Sequence, residues 1–422
     1  MRSGLKSIAQ LIALVTLAGC GRPVAAESPT TEAVASAQQP PQAAQEPALV
    51  DRGRYLTEAA DCAACHTDPR SGKPFAGGRP IQTPFGTVVA ANITPDRKTG
   101  IGTWSDKQFD DAVRHGRMPD GMLYPAMPYP YYTRMSRDDV LAIRAYLRTL
   151  TPVENAVHSN QLPFPFSIRA MMHVWDGLYF NDKPYAPDPS KSALWNRGAY
   201  LVQGAGHCGA CHTPKNFLGG DKARQAFQGY TLQGWFAPNI TNDEARGLGK
   251  WSVEDIASYL KTGHNRLAAA SGMMGEEVAL ASSRMTDPDL QAIATYLKDQ
   301  PGQSPPNAAP VNAMSMKAGK AIYEDLCSAC HAPDGRGVPY LIPNLAESSS
   351  VASRDDTSIV RVVVHGSESV ATDKEPTGPA MPAFGWQLND DQIAAVATYI
   401  RNSWGHAASP VTAAEVSKAR KP

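Results

Sequence analysis

Three stretches of the chain repeat one spacing of apolar and polar residues. In the first stretch, Val140, Ile143 and Leu147 recur every three or four residues, which places their side chains on one face of a helix. All three stretches begin with acidic residues, which suit a helix N-terminus. The pattern predicts three amphipathic helices in successive parts of the chain. They are Asp138–Leu150, Asp287–Leu297 and Asp390–Ile400.

The N-terminus has a different pattern, in which a short basic region precedes an apolar run at residues 8–17. The run is too short to cross a bilayer, and this layout is typical of a secretory signal. The sequence Leu-Ala-Gly-Cys ending at Cys20 resembles a bacterial lipobox, whose cysteine carries lipid. We therefore predict a lipoprotein-type signal peptide at residues 1–19 and a lipidated Cys20. Cleavage near Ala26, which would remove Cys20, is the alternative.

Residues 20–46 have no aromatic side chain and are rich in Ala, Gln, Pro, Ser and Glu. Such a segment cannot bury enough apolar surface to fold. We predict that it is a flexible tether between the lipid and the first folded domain. No later segment is long and apolar enough to cross a membrane.

Six of the seven cysteines form three C-x-x-C-H motifs, the pattern for covalent attachment of c-type haem. The two thiols can add to the two vinyl groups of one haem, which places the adjacent histidine against the iron. A redox or zinc motif is the alternative for a single copy, but three copies behind an export signal favour haem. The predicted cysteines and proximal histidines are Cys62, Cys65 and His66; Cys208, Cys211 and His212; and Cys327, Cys330 and His331.

The sequence around the first two motifs is also repeated. Arg-Gly-x-Tyr-Leu precedes each of them, beginning at Arg52 and Arg197, and Asn-Ile-Thr follows at Asn92 and Asn239. The third copy is looser and lacks Asn-Ile-Thr. We therefore predict an all-α fold of three tandem cytochrome c domains, each with one covalent haem. The domains are 47–152, 191–300 and 315–406, separated by a proline-rich linker with a helix at 153–190 and a linker at 301–314, and followed by a tail at 407–422.

A haem iron with one histidine has a sixth position, and methionine sulfur there is the arrangement used for electron transfer. Met127 and Met381 lie in proline-bounded loops, which restrict the backbone and can hold the sulfur near the iron. In the second copy, Met273 stands as far from its first cysteine as Met127 does, and Met274 adjoins it. Both remain candidates at this point, and Met118 is a further one.

Three histidines are alternatives for the sixth position. His115, His264 and His365 each stand beside a glycine at the end of a helical segment. A cation at a helix C-terminus is favourable in itself, so this placement has an explanation without iron. In the linker, the predicted helix Ser167–Phe180 has a broad apolar face, which suits packing between two haem domains or contact with a quinone or partner.

The order of the three motifs, together with Asn-Ile-Thr-Pro, Gly-Thr-Trp-Ser, Tyr-Pro-Ala-Met-Pro-Tyr and Met-Pro-Ala-Phe, resembles the cytochrome c subunits of bacterial membrane-bound dehydrogenases. The resemblance implies Met127, Met274 and Met381 as sixth ligands. It also implies electron transfer from a flavin- or pyrroloquinoline-quinone-dependent catalytic subunit to ubiquinone or another respiratory acceptor. The lipobox and a short, weakly apolar tail depart from many members, so we expect the lipid to anchor this chain.

Basic and acidic side chains balance at 40 each, which gives no electrostatic reason to bind nucleic acid. No Rossmann, P-loop or metalloprotease motif is present. We therefore expect an electron-transfer subunit without substrate chemistry of its own, lipid-anchored on the periplasmic side of a bacterial membrane. The alternatives are a free-standing shuttle to a terminal oxidase and a haem peroxidase, which would need an open iron position.

Overall fold

The computed structural model of the protein describes residues 42–302 and 311–421. The signal peptide, Cys20 and most of the tether lie outside these residues. The described chain is largely helical, but it also has two-stranded antiparallel sheets, which the all-α prediction did not include. Among the helices of the described residues, none has the length and apolar character needed to span a membrane.

The first repeat, residues 47–152, starts with a long helix and ends with the predicted amphipathic one. Helix α3 begins at a capping box formed by Ser105 and Gln108 and ends at Gly116, whose φ of 65° stops the helix. The elements are α1 (Gln42–Ala59), α2 (Cys62–His66), β1 (Pro80–Thr83), β2 (Gly86–Val89), α3 (Asp106–His115), β3 (Arg117–Met118), β4 (Gly121–Met122), α4 (Tyr129–Tyr132) and α5 (Arg137–Leu147).

The linker carries a 3-10 turn, Arg169–Met171, followed by α6, Met172–Tyr179, which is shorter than the predicted helix. Its Trp175 Nε1 donates to Leu218 O at 2.9 Å, and its Asp176 accepts from the Tyr129 hydroxyl at 2.6 Å. The linker helix therefore contacts both the first and the second repeats. Part of its apolar surface faces outward, since Val174 is 64% exposed.

The second repeat, residues 191–300, follows the same plan. Helix α9 begins at a capping box formed by Ser252 and Asp255 and ends at Gly263, with φ of 81°, as α3 ends at Gly116. The elements are α7 (Ala193–Gln203), α8 (Gly209–His212), a 3-10 turn (Ala223–Gln225), β5 (Tyr230–Leu232), β6 (Trp235–Ala237), α9 (Val253–Thr262), α10 (Gly272–Leu280), a 3-10 turn (Ser282–Arg284) and α11 (Asp287–Lys298).

The third repeat, residues 315–406, extends into the predicted tail, because a last helix packs back on it. Val416 of this helix is buried, and Arg420 Nε donates to Asp390 Oδ1 at 2.5 Å. The elements are α12 (Ala313–Leu326), α13 (Ser328–His331), α14 (Ser349–Ala352), α15 (Thr357–His365), β7 (Ser367–Glu368), β8 (Ala380–Met381), α16 (Asp390–Ile400) and α17 (Ala413–Ala419).

In each repeat, the first helix crosses the terminal amphipathic helix at a glycine. A Cβ at Gly53, Gly198 or Gly319 would overlap a backbone carbonyl of α5, α11 or α16. Only glycine allows the two helices to approach this closely. The apolar faces predicted for the three terminal helices are buried.

The buried apolar residues form two cores. Residues of the first and second repeats, such as Met135, Leu201 and Leu290, belong to one continuous core. The third repeat has its own core, which includes Tyr323 and Ile393. The first two repeats are thus joined through their interiors, whereas the third is packed separately.

Candidate haem-binding sites

In each repeat, the two cysteines and the histidine lie on one helical turn. Cys62, Cys65 and His66 belong to α2, while Cys208 and Cys327 have right-handed helical backbone angles directly before α8 and α13. Residues three and four apart share a helix face, so both sulfurs and the imidazole of a motif face the same side. The six cysteines of the described residues are free of disulfides.

The three proximal histidines make the same second contact. In each, Nδ1 faces a backbone carbonyl, which can only accept, so Nδ1 carries the proton and Nε2 has the lone pair. Nε2 of none of them has a hydrogen bond to any described residue. The contacts are His66 Nδ1 to Ala91 O at 2.7 Å, His212 Nδ1 to Pro238 O at 2.6 Å, and His331 Nδ1 to Pro343 O at 3.3 Å.

Burial lowers the pKa of His66, His212 and His331, which favours the neutral imidazole. A neutral imidazole with Nδ1 held by a carbonyl and a free Nε2 is the form that binds a metal. With two thiols on the same helix face, the residues present fit a covalently attached haem with a histidine ligand.

A glycine supports each of these histidines from the backbone. The N–H groups of Gly77, Gly229 and Gly337 donate to the carbonyls of the three proximal histidines at 2.8 to 2.9 Å. All three glycines have positive φ, which favours glycine. A Cβ at any of them would collide with the residue whose carbonyl contacts the histidine, or with a residue just before it in the chain. These glycines carried no motif signal in the sequence, because their distance from the histidine differs in each repeat.

The candidate sixth ligands have different backbone settings. The backbone N–H four residues before Met127 donates to the carbonyl of the glycine that ends α3, at 2.7 Å. In the same way, the backbone N–H four residues before Met274 donates to the carbonyl of the glycine that ends α9, also at 2.7 Å. This equivalence favours Met274 over Met273. Met381 instead lies in β8, paired with Ser367. All four methionine side chains are partly buried.

The alternative histidines contact distant segments of the chain. Both ring nitrogens of His264 face carbonyls, so neither is free for iron. Met118, the further methionine candidate, lies in β3. The histidine contacts are His115 Nδ1 to Asp182 Oδ1 at 3.2 Å, His264 Nδ1 to Tyr340 O at 3.2 Å, His264 Nε2 to Val370 O at 2.9 Å, and His365 Nε2 to Ala419 O at 2.7 Å.

The repeated Arg-Gly-x-Tyr motif joins the first two repeats reciprocally. Tyr55 donates to Asp289 Oδ2 of the second repeat at 2.5 Å, and Asp289 Oδ1 accepts from Arg197 Nε at 2.7 Å. In the mirrored arrangement, Tyr200 donates to Asp139 of the first repeat, which accepts from Arg52 Nε at 2.8 Å. The sequence showed the repetition of this motif but not its role.

Carboxyl groups lie between the first two attachment turns. Burial and the nearby Glu277 carboxylate raise the pKa of Asp61, which precedes the first haem cysteine, to about 8. Burial also raises the pKa of Glu277 to about 7. Arg79 donates to Ala64 O of α2 at 2.5 Å and pairs with Glu276 of α10. The candidate ligand helix of the second repeat is thereby tied to the attachment turn of the first.

Comparison with known proteins gives three matches to the cytochrome c family, at residues 50–151, 196–301 and 316–404. Similar relatives extend over most of the chain. The gluconate 2-dehydrogenase cytochrome c subunit of Pantoea cypripedii is 40% identical, covering 89% of this chain and 90% of its own. The quinone-type alcohol dehydrogenase cytochrome c subunit of Gluconacetobacter polyoxogenes is 40% identical, covering 88% and 84%. The fructose dehydrogenase cytochrome subunit of Gluconobacter japonicus is 37% identical, covering 93% and 85%.

Proposed function

The chain belongs to the cytochrome c family, among the cytochrome c subunits of dehydrogenases, and on this premise we propose that it carries electrons through three covalent haems. The electrons would come from a flavin- or pyrroloquinoline-quinone-dependent catalytic subunit and pass to ubiquinone or another respiratory acceptor. The observation that carries the proposal is the neutral proximal histidine, with the same tautomer and the same two cysteines beside it, in all three repeats.

The protein's part in this function is to hold each haem and to orient its histidine ligand. The paired cysteines would each form a thioether bond, and the proximal Nε2 would bind the iron. The haem supplies an iron that accepts and releases one electron at a time. The carbonyl partner of each Nδ1 fixes the tautomer and the ring orientation, and burial keeps the imidazole neutral.

The haem count is tested by the mass of the purified chain. We expect the mass of the processed peptide plus three haems, and haem colour that remains with the denatured chain on a gel. A mass with two haems, or free thiols at Cys327 and Cys330, would contradict the proposal.

We assign the sixth position to Met127, Met274 and Met381. Changing any one of them to Leu should remove one methionine–iron charge-transfer band and lower one reduction potential, because the thioether favours reduced iron. Met273→Leu is the matched control in the second repeat and should leave the band intact. Loss of the band in Met273→Leu alone would transfer the assignment to that residue.

We propose that Cys20 carries the lipid and holds the chain on the periplasmic side of a bacterial membrane. Two or more acyl chains, at about 0.8 kcal/mol per buried methylene, are enough for stable anchoring. Fatty-acid labelling of the wild type and of Cys20→Ser tests this. Unlabelled wild-type protein that begins beyond Cys20 would refute it.

The partner is tested with the complex purified from membranes. Addition of an alcohol, polyol or sugar acid should reduce the haems of the complex, whereas the isolated chain should oxidise none of these compounds. Quinone reduction should stop when haem attachment is prevented at all three motifs. Stable isolation with a terminal oxidase and without a dehydrogenase would favour the shuttle instead.

A further inference from the structure

The third residue after the proximal histidine differs in charge among the three repeats. It is Pro69 in the first, Lys215 in the second and Asp334 in the third. Pro69 and Asp334 are exposed, so solvent screens the Asp334 charge. The Lys215 side chain is only 13% exposed. The second repeat therefore has a buried lysine at this position, whereas the cation on the first attachment turn, Arg79, is 28% exposed and is paired with both oxygens of Glu276.

Lys215 is held by three acceptors. Its Nζ donates to Gly209 O of the attachment turn at 2.8 Å, to the Tyr131 hydroxyl at 3.0 Å and to Asp221 Oδ1 at 2.6 Å. A neutral amine has only two N–H groups, so three acceptors require the ammonium form. The rings of Tyr131 and Tyr230 also face this ammonium, at 5.6 and 5.9 Å.

The two charges of the Lys215–Asp221 pair differ in their distance from solvent. Asp221 has a side chain that is 39% exposed, and its second oxygen accepts from Tyr131 at 2.5 Å. Solvent therefore screens the carboxylate more than the ammonium, which reaches into the turn between Cys208 and Cys211. The Lys215–Asp221 pair consequently adds a net positive contribution to the field at the attachment turn of the second repeat.

We propose that Lys215 raises the reduction potential of the second repeat's haem and so makes this repeat the electron acceptor within the joined first and second repeats. Reduction converts ferric to ferrous iron and lowers the charge of the site by one, which a nearby cation favours. With haem bound in both repeats, one electron would pass from ferrous iron in the first repeat to ferric iron in the second. The inference rests on the proposed haem sites, but not on the identity of the dehydrogenase.

Opposite charge changes provide the test, in potentiometric titrations of the purified full-length holoprotein followed by visible absorption. Lys215→Met should lower one of three midpoint potentials, and Asp221→Asn should raise the same one. We expect each change to alter the electron distribution between the first two haems about tenfold, which corresponds to ~59 mV for one electron. Met274→Leu, which should lower the same midpoint, assigns it to the second repeat.

Two further variants separate a charge effect from a structural one. Tyr131→Phe removes hydrogen bonds without changing charge, and Lys222→Met removes an exposed neighbouring lysine. Both should leave the electron distribution within about twofold of the wild type. If Lys215→Met does not retain haem, the proposal is tested with Lys215→Arg and Asp221→Asn instead. Lys215→Arg should preserve the midpoint potential, and Asp221→Asn should raise it.

The proposal is wrong if Lys215→Met and Asp221→Asn shift the midpoint in the same direction, because that is the result of breaking a structural contact. It is also wrong if neither variant shifts a midpoint. Neither outcome affects the proposed partnership with a dehydrogenase, since the isolated chain is used. Uptake of fewer than three electrons per chain in the wild type would instead contradict the proposed haem count.

Discussion

The second repeat contacts its two neighbours in different ways. With the first repeat it shares a continuous hydrophobic core and exchanges tyrosine–aspartate hydrogen bonds in both directions. With the third repeat, the contacts are mainly single hydrogen bonds between separately packed units. Thr231 Oγ1 donates to Asp355 at 2.6 Å, and the N–H of Asn344 donates to Leu267 O at 2.9 Å.

The reciprocal contacts relate the first two repeats as an isologous interface relates two subunits of a dimer. A shared core makes their stabilities interdependent, whereas a polar contact between separate cores allows each side to unfold alone. We therefore expect the first two repeats to unfold together and the third in a separate transition. The changes below test this comparison.

The helix-crossing glycines should have the largest effect. Gly198→Ala places a methyl group against the carbonyl of Ala292 in α11, and should lower the free energy of unfolding of the first two repeats by about 3 kcal/mol. Gly319→Ala should do the same to the third repeat only. Calorimetry would resolve the two transitions. Gly177→Ala, at a linker position with open space around it, is the control, and a single transition lowered by both changes would contradict the comparison.

The reciprocal aspartates should come next. Asp289→Ala leaves Arg197 and Tyr55 without their partner, and should destabilise the joined repeats by about 3 kcal/mol. Asp139→Ala should have an equal effect, measured by denaturant unfolding. Asp287→Ala, which removes an exposed carboxylate from the same helix, should have less than about 1 kcal/mol of effect. A large difference between Asp289→Ala and Asp139→Ala would show that the interface is not symmetric.

Low pH should weaken the interface between the first two repeats, because it protonates the same aspartates. Burial acts to raise the pKa of Asp289, but hydrogen bonds from Arg197 and Tyr55 outweigh it and hold that pKa below its ordinary value. A carboxyl with a lower pKa in the folded than in the unfolded state binds fewer protons when folded. Its stabilisation is therefore present above pH ~4 and lost as pH falls through the folded pKa. Asp289→Asn should flatten this pH dependence in unfolding measured between pH 2 and 6.

A change at His264 tests the contact between the second and third repeats, and its effect on stability should be smaller. His264→Leu removes the imidazole contacts to the carbonyls of Tyr340 and Val370, and should lower the stability of the third repeat by about 2 kcal/mol. Hydrogen exchange in α15 would report the change. His365→Leu is the control, since its contact lies within the third repeat. Unchanged exchange in His264→Leu would show that this contact does not stabilise the third repeat.

The smallest effect is expected at a half-buried contact of the same interface. Arg361 lies 5.0 Å from the centre of the Trp235 ring, and Arg361→Gln should cost about 0.5 to 1 kcal/mol through loss of the cation–π contact. The midpoint of the third repeat's thermal transition would measure it. Arg354→Gln, at an exposed arginine nearby, should leave that midpoint unchanged. An equal shift in both variants would indicate a general charge effect.

The sequence by itself determined the local parts of this protein. The C-x-x-C-H spacing placed two cysteines and a histidine on one helical turn, and the apolar period placed Val140, Ile143 and Leu147 on a buried helix face. Such features depend on the backbone geometry of a few neighbouring residues. They are therefore readable from spacing alone.

Tertiary structure alone decided which distant groups complete these parts. The carbonyl of Pro238 that orients His212 lies 26 residues away, and the Asp289 that accepts from Tyr55 lies 234 residues away. The spacing from the first cysteine left Met273 and Met274 open, whereas the hydrogen bond to the end of α9 favours Met274. Contacts of this kind depend on how helices pack and how loops return to them. A periodic pattern describes only one face of one element and carries no record of what lies opposite.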